Sequence, residues 1–322
     1  MSKSVAIFSR FPLASKLKES LPFIDFIDVK QTDPTPLYTA EVILADYDYV
    51  GPHLSKLQNI KWIQGTWAGI DYLKPFIQND NPPKFLITRT SGENFGQLMG
   101  EHVLATMIFW ERNYFQAREN QYLKNWDKSI CSEDHRSLAE LTVGILGIGS
   151  IGNRIGRTLN YLGSTIYGYG RQEINLNNEE YEHISQYFTQ ATLKDFLANV
   201  DYVINVLPAT PQTDNLLGNG ILENCKGKNV IFINVGRGNI IKETELINAL
   251  NQEWISGAIL DVFENEPLSK DSPLWEMKNV FITPHISGNS RSRDIIKKFV
   301  MNYERYQNNQ PLINIVDFDK GY

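Results

Sequence analysis

Short runs of consecutive apolar residues alternate with longer stretches in which apolar positions recur every three or four residues, almost from end to end. The short runs suit strands covered on both faces, and the periodic stretches suit the helices that cover them. Early in the chain, strands are predicted at Val5–Phe8, Ile24–Val29, Val42–Leu44, Lys61–Gln64 and Phe85–Thr88. Helical segments such as Ser15–Ser20 and His53–Gln58 fill the intervals. A turn-rich break, Thr90-Ser91-Gly92-Glu93-Asn94-Phe95-Gly96, then precedes one long helical pattern from about Gln97 to Lys124. A second series predicts strands at Thr142–Leu146, Thr165–Tyr169, Asp201–Val206, Asn229–Val235, Ile255–Asp261 and Val280–Thr283. Arg171–Gln190 reads as a polar loop, and the turn Gly288-Asn289-Ser290 leads into a helix over Arg291–Gln307. Strands alternating with helices imply βαβ units and parallel sheets. The expected fold class is α/β, with two doubly wound parallel-sheet lobes. Residues 97–288 form one lobe, inserted between residues 1–96 and 289–322, which form the other.

Composition narrows the classes of function. At 322 residues the chain is long enough for two domains with cores of their own. Thirty-one Lys+Arg against 37 Asp+Glu leave a net charge of −6, without the basic excess of a nucleic-acid binder. No apolar run reaches the roughly 18 residues of a membrane helix. Met1-Ser2-Lys3-Ser4 runs directly into a β-like stretch, so no secretory signal is expected. Two cysteines, Cys131 and Cys225, cannot frame a disulfide scaffold and suit a reducing, cytoplasmic setting. His53, His135 and His183 lack partners at metal-ligand spacing, so no metal is expected, and His102 reads as a packing residue on a helix.

Chemistry first shows in Gly147-Ile148-Gly149-Ser150-Ile151-Gly152, between the strand ending at Leu146 and an amphipathic helix over Ile151–Leu162. This is where a dinucleotide-binding G-x-G-x-x-G belongs. Gly147 permits the tight turn, Gly149 lets the backbone approach a pyrophosphate, and Gly152 lets the helix pack closely. The N–H groups opening the helix then meet the phosphates. At the end of the next strand, a carboxylate would be expected to hold a ribose 2′-OH. This chain has Gly170 there, followed by Arg171. A guanidinium pairs with a 2′-phosphate in bidentate fashion, so NADP(H) is expected in preference to NAD(H).

Three charged residues follow later strands, at the sheet edge where ligands of such folds bind. Arg237 follows Ile233-Asn234-Val235-Gly236, Glu266 lies in Asp261-Val262-Phe263-Glu264-Asn265-Glu266-Pro267, and His285 lies in Thr283-Pro284-His285-Ile286. Reduction of a 2-oxo acid leaves an alkoxide that must be protonated, a task suited to imidazolium. A neighbouring carboxylate, Glu266, favours that charged form and orients the ring. A guanidinium, Arg237, holds the substrate carboxylate and polarises its carbonyl.

These motifs, in this order, resemble the D-isomer-specific 2-hydroxyacid dehydrogenase family over nearly the whole chain. Ser272-Pro273-Leu274-Trp275 and Asn279-Val280 add to the likeness. The resemblance implies a Rossmann coenzyme lobe inserted in a flavodoxin-like substrate lobe. It makes Arg237, Glu266 and His285 the substrate-binding arginine, the orienting glutamate and the acid/base histidine. It places Asp261 near the nicotinamide carboxamide, and Leu207, Pro208 and Thr213 over the adenosine and pyrophosphate. Ser150, Ile151, Val235 and Gly236 join the coenzyme set. Arg171 resembles the NADPH-using glyoxylate/hydroxypyruvate reductases of the family rather than its NAD-dependent lactate group. The aromatic stretch Phe109, Trp110, Tyr114, Phe115, Tyr122 and Trp126 is expected in the core or at a homodimer interface.

In the first lobe, Trp67-Ala68-Gly69 follows a strand with small residues that let backbone N–H groups converge on an anion. It resembles the family's substrate loop. Trp67, Ala68, Gly69 and Arg89 are the substrate-binding candidates, while Thr90-Ser91-Gly92 departs from the family's Asn before a Pro-Gly pair. The expected reaction is transfer of hydride from NADPH to a small 2-oxo acid of the glyoxylate or hydroxypyruvate kind. Other readings are a formate or phosphoglycerate dehydrogenase on similar lobes, or a non-enzymatic dinucleotide sensor.

Overall fold

Consecutive apolar residues alternate between the two faces of a strand, so each short run needs a core on either side. The first sheet shows this directly in the structure, a computed structural model that describes residues 4–77, 83–131, 135–318, 320 and 321. Met1–Lys3, on which the reading of the chain's start relies, lie outside the described residues.

The chain divides into two compact units, residues 1–95 with 289–322 and residues 96–288. In the first, β1 (Ser4–Phe8), β2 (Asp25–Asp28), β3 (Val42–Ala45), β4 (Trp62–Gly65) and β5 (Leu86–Thr88) form a sheet in the order β2-β1-β3-β4-β5. All of its pairings are parallel. This is the flavodoxin-like doubly wound order. Val5, Ile7, Val42, Leu44 and Trp62 feed one core cluster, while Ala6, Phe8, Ile43, Ala45 and Ile63 feed the other. The C-terminal helix Ser292–Gln307 closes the first of these with Ile295, Ile296, Phe299 and Tyr303. Phe299 stacks on Trp62, with ring centres 5.4 Å apart, and truncating it to Ala would cost about 3–5 kcal/mol.

The second unit holds β6 (Thr142–Leu146), β7 (Thr165–Tyr169), β8 (Gln186–Phe188), β9 (Tyr202–Asn205), β10 (Ile231–Asn234), β11 (Gly257–Leu260) and β12 (Val280–Ile282). Their order is β12-β11-β10-β9-β6-β7-β8, again entirely parallel. It is the Rossmann arrangement extended by one strand. Leu146, Val203, Phe232, Ala258 and Leu260 join one core cluster beneath it.

Four details differ from the sequence reading. The segment expected to be a loop contains β8, a three-residue edge strand whose Phe188 packs on Tyr167 and Phe196. A strand that short, with a neighbour on one side only, carries no apolar run to give it away. The long helix expected over Gln97–Lys124 is two helices, Glu93–Glu111 and Tyr114–Tyr122. Asn113 separates them in the left-handed conformation at φ 50°, with its amide donating to Ile130 O at 3.1 Å. His53–Gln58 lies in and just beyond a 3₁₀ segment, Gly51–Lys56, whose Pro52 suits a first turn. Gly96 belongs to the second unit rather than the first: a Cβ there would stand 3.0 Å from Arg154 Cβ on the helix Ser150–Tyr161.

Candidate active site

The glycine turn opens where β6 ends. Gly147 takes φ 105°, a conformation side chains rarely adopt, and donates to Tyr169 O at 2.9 Å. A Cβ on Gly152 would fall on the carbonyl oxygen of Gly147. Gly152 is thus required by the turn itself as much as by helix packing. A Cβ on Gly149 would meet nothing within 4 Å. Gly149 caps the helix Ser150–Tyr161, and Gly149 and Ser150 are exposed beside its free N–H groups. An open space over unpaired donors at the positive end of a twelve-residue helix fits a pyrophosphate. Leu207 walls the turn, 3.1 Å from where a Gly147 Cβ would stand. Pro208 O accepts from the Thr213 hydroxyl at 2.6 Å, and that hydroxyl in turn accepts from Thr210 N–H, so Thr213 closes the loop that follows β9. Arg171 and Gln172 are exposed just beyond β7.

Glu266 and His285 meet directly. His285 Nδ1 lies 2.7 Å from Glu266 Oε2, and Glu266 Oε1 accepts from Phe263 N–H at 3.1 Å. A carboxylate beside Nδ1 keeps a proton on that nitrogen and leaves Nε2 as the reactive one. Burial works to raise the Glu266 carboxyl. The hydrogen bond to His285, the Phe263 N–H, and the charges of His285 and Arg237 outweigh it and hold the group below its ordinary range. Arg237 is therefore felt at Glu266 across the sheet edge. Its Nη1 donates to Gly236 O at 2.7 Å. A Cβ on Gly238 would overlap the backbone of Phe263, so only glycine lets the segment after Arg237 lie against the loop that carries Glu266.

Of the side chains that hold these residues in place, Asn205 and Asn234 escaped the sequence reading, and Asp261 entered it only as a residue near the nicotinamide. Asn205 and Asn234 end two neighbouring strands, both buried, joined by a 2.8 Å bond from Asn205 Nδ2 to Asn234 Oδ1. Both amides donate to Arg237 O, and Asn234 Oδ1 accepts from Gly236 N–H. Val235 is buried beside them, and a Cβ on Gly236 would press on Leu207 O at 2.9 Å. The signal was present in the sequence as a lone amide closing each apolar run. Asp261 is fully buried. Its carboxylate accepts from Thr283 Oγ1 at 2.5 Å, Ile286 N at 2.8 Å and Ser287 N at 2.9 Å, and its carbonyl accepts from His285 N. Asp261 thus pins the turn that holds His285 at φ 54°, a strained setting for a non-glycine residue.

In the first unit, Thr90 N donates to Trp67 O at 3.0 Å and Arg89 Nη1 to Ala68 O at 3.4 Å, so Trp67, Ala68 and Arg89 adjoin, with Gly69 next in the loop. The Trp67 ring packs on Tyr72 and on the Arg10 guanidinium, which the buried Asp46 anchors. Among the described residues no cluster of His, Cys, Asp and Glu could hold a metal, and no helix is long and apolar enough to cross a membrane.

A Rossmann sheet with this glycine turn, and an arginine and a carboxylate-paired histidine at its edge, defines the class: a dinucleotide-dependent α/β oxidoreductase. Comparison with known proteins makes this specific. A family profile described as D-isomer specific 2-hydroxyacid dehydrogenase, NAD binding domain, matches residues 104–287. Glyoxylate/hydroxypyruvate reductase A of Klebsiella pneumoniae (strain 342) is 27% identical over 285 residues, covering 86% of this chain and 88% of that one. A D-isomer specific 2-hydroxyacid dehydrogenase family protein from Aeromonas salmonicida subsp. salmonicida A449 is 32% identical with TM-score 0.84, covering 99% of this chain and all of that one. A D-isomer specific 2-hydroxyacid dehydrogenase from Xanthobacter autotrophicus Py2, solved in complex with NADPH and MES, is 28% identical with TM-score 0.83 over 100% of both chains. The chain belongs to the D-isomer-specific 2-hydroxyacid dehydrogenase family and is an NAD(P)-dependent oxidoreductase acting on CH–OH groups.

Proposed function

We propose that the protein reduces a small 2-oxo acid of the glyoxylate or hydroxypyruvate kind to a D-2-hydroxy acid, using NADPH in preference to NADH. The observation that carries this is the 2.7 Å pair of His285 and Glu266 with Arg237 felt beside it, on the unit that also holds the glycine turn. When bound, the reduced nicotinamide supplies the hydride. Arg237 holds the substrate carboxylate and polarises the carbonyl, and His285 delivers a proton from Nε2 to the oxygen. Glu266 fixes the ring through its contact with Nδ1. Gly147, Gly149, Ser150, Ile151 and Gly152 receive the pyrophosphate, with Leu207, Pro208 and Thr213 beside the adenosine. Val235, Gly236 and Asp261 shape the nicotinamide end, and Arg171 pairs with the 2′-phosphate. Trp67, Ala68, Gly69 and Arg89 are the substrate-binding residues of the first unit. The names of the Klebsiella relative and of the NADPH-bound Xanthobacter structure support this reading.

The test is loss of reduced-nicotinamide absorbance with glyoxylate, hydroxypyruvate, pyruvate and a bulkier oxo acid, each with both coenzymes. Turnover fastest with the two small acids, and at least about tenfold higher kcat/KM with NADPH, is expected. No turnover across the panel, or an equal preference for NADH, refutes it. We also propose a homodimer, with Tyr122, Leu123 and Trp126 in its interface, since these side chains stand 71%, 75% and 89% exposed. Sedimentation at micromolar concentration should show twice the chain mass.

A further inference from the structure

Gly168 and Gly170 stand two residues apart on and just after β7, so they share one face of the strand. The ring of Tyr187, the register partner of Gly168 on β8, covers that face. A Cβ on Gly168 would stand 2.8 Å from Tyr187 Cδ2 and 2.9 Å from Ile148 Cγ1 of the glycine turn. A Cβ on Gly170 would collide with the Tyr187 hydroxyl, with Cζ 3.3 Å away. The strand thus omits two side chains to house one aromatic ring, and the ring ends in its hydroxyl at the position immediately before Arg171. That is the position from which a carboxylate would hold a free ribose 2′-OH.

We infer that Tyr187 is a specificity-determining residue for the coenzyme: its ring denies residue 170 a carboxylate, and its hydroxyl donates to a 2′-phosphate beside Arg171. The inference rests on the NADPH reading above. A carboxylate at this place would repel a 2′-phosphate, whereas a neutral phenol donates a charge-assisted hydrogen bond to it. Burial, with Tyr181 and Tyr169 nearby, pushes the Tyr187 hydroxyl up to about 12, so it carries its proton at any working pH. Among the described residues no hydrogen bond engages that hydroxyl. The edge strand β8 therefore has a use beyond completing the sheet: it brings an aromatic ring over the face of β7 that Gly168 and Gly170 leave without side chains.

Coenzyme dissociation constants, read by nicotinamide fluorescence on the folded, substrate-free protein, decide the matter. Tyr187→Phe keeps the ring and removes the donor; NADPH should bind about three- to tenfold more weakly while NADH is unchanged. Gly170→Asp alone should weaken both coenzymes, because the new side chain meets Tyr187. Adding Tyr187→Ala should restore NADH by about tenfold over Gly170→Asp without restoring NADPH. The inference is overturned by an unchanged NADPH-to-NADH ratio in Tyr187→Phe, or by NADH binding equally to Gly170→Asp with and without Tyr187→Ala. Arg171→Ala tests the underlying reading separately: an unchanged ratio there removes the arginine's role, while the two residue-170 variants still report on Tyr187.

Discussion

Two turns of the second unit meet two different demands. The turn from Gly147 to Gly152 is built almost wholly from main chain, its shape set by a positive φ, one backbone bond and the absence of two side chains. The turn from Thr283 to Ser287 is built around one buried side chain, Asp261, which takes three hydrogen bonds from it and holds a strained histidine. A pyrophosphate asks only for N–H groups and positive potential, which any sequence with glycines can offer. A proton donor must stand at one place with one nitrogen facing outward, and that needs side chains from other strands to brace it. The first turn is therefore local and the second is assembled.

The largest expected effect separates the two turns most sharply. His285→Ala should lower kcat about 10²- to 10⁴-fold while the NADPH dissociation constant stays unchanged, as measured by steady-state rates and fluorescence titration. The reverse pattern is expected inside the glycine turn. Gly152→Ala forces a methyl onto Gly147 O and should weaken coenzyme binding about ten- to a hundredfold, whereas Gly149→Ala opens onto free space and should cost less. Equal losses in the two alanine variants would show that the turn is not held as described. Asn205→Ala removes a buried amide from the brace behind Arg237; about 1–3 kcal/mol of stability should go, seen in denaturant melts, with kcat falling more than coenzyme affinity.

The smallest effect is electrostatic. Glu266 is held below its ordinary value of 4.5 in the folded protein, so its contribution to stability is present above that pH and is lost as pH falls through the lower, folded value. Glu266→Gln should remove this acid-side dependence. The side chain is 35% exposed and partly screened, so the variant should melt only slightly below the parent above about pH 4.5, and the two melting curves should converge as pH falls below it.

Much of this was legible along the chain. The central strands of the first sheet come from runs whose apolar residues alternate between two cores, as Val5-Ala6-Ile7-Phe8 does, and a run of that kind reports its own burial. The edge strands of the second sheet differ: β12 is half-buried but still apolar, whereas β8 is too short and too mixed to be seen. The break at Asn113 was hidden because Glu111–Tyr114 carries no glycine or proline to mark the end of one helix and the start of the next. Arg237, Glu266 and His285 were visible as charged residues after strand ends. Their braces Asn205 and Asn234, and the bracing role of Asp261, were harder to see, because a polar residue closing a strand looks the same whether it faces water or the core.

By itself the sequence determined what is decided between neighbours in the chain: the periodicity of the strands and helices, and a glycine turn whose φ angles are a property of the residues in it. Tertiary structure alone decided what depends on register between distant strands. The 2.7 Å meeting of Glu266 with His285 depends on how the loops after β11 and β12 pack, and the collision between Tyr187 and a side chain at residue 170 depends on Tyr187 pairing with Gly168. A shift of one residue in either pairing would turn these side chains to the opposite face, and no local pattern records which register holds.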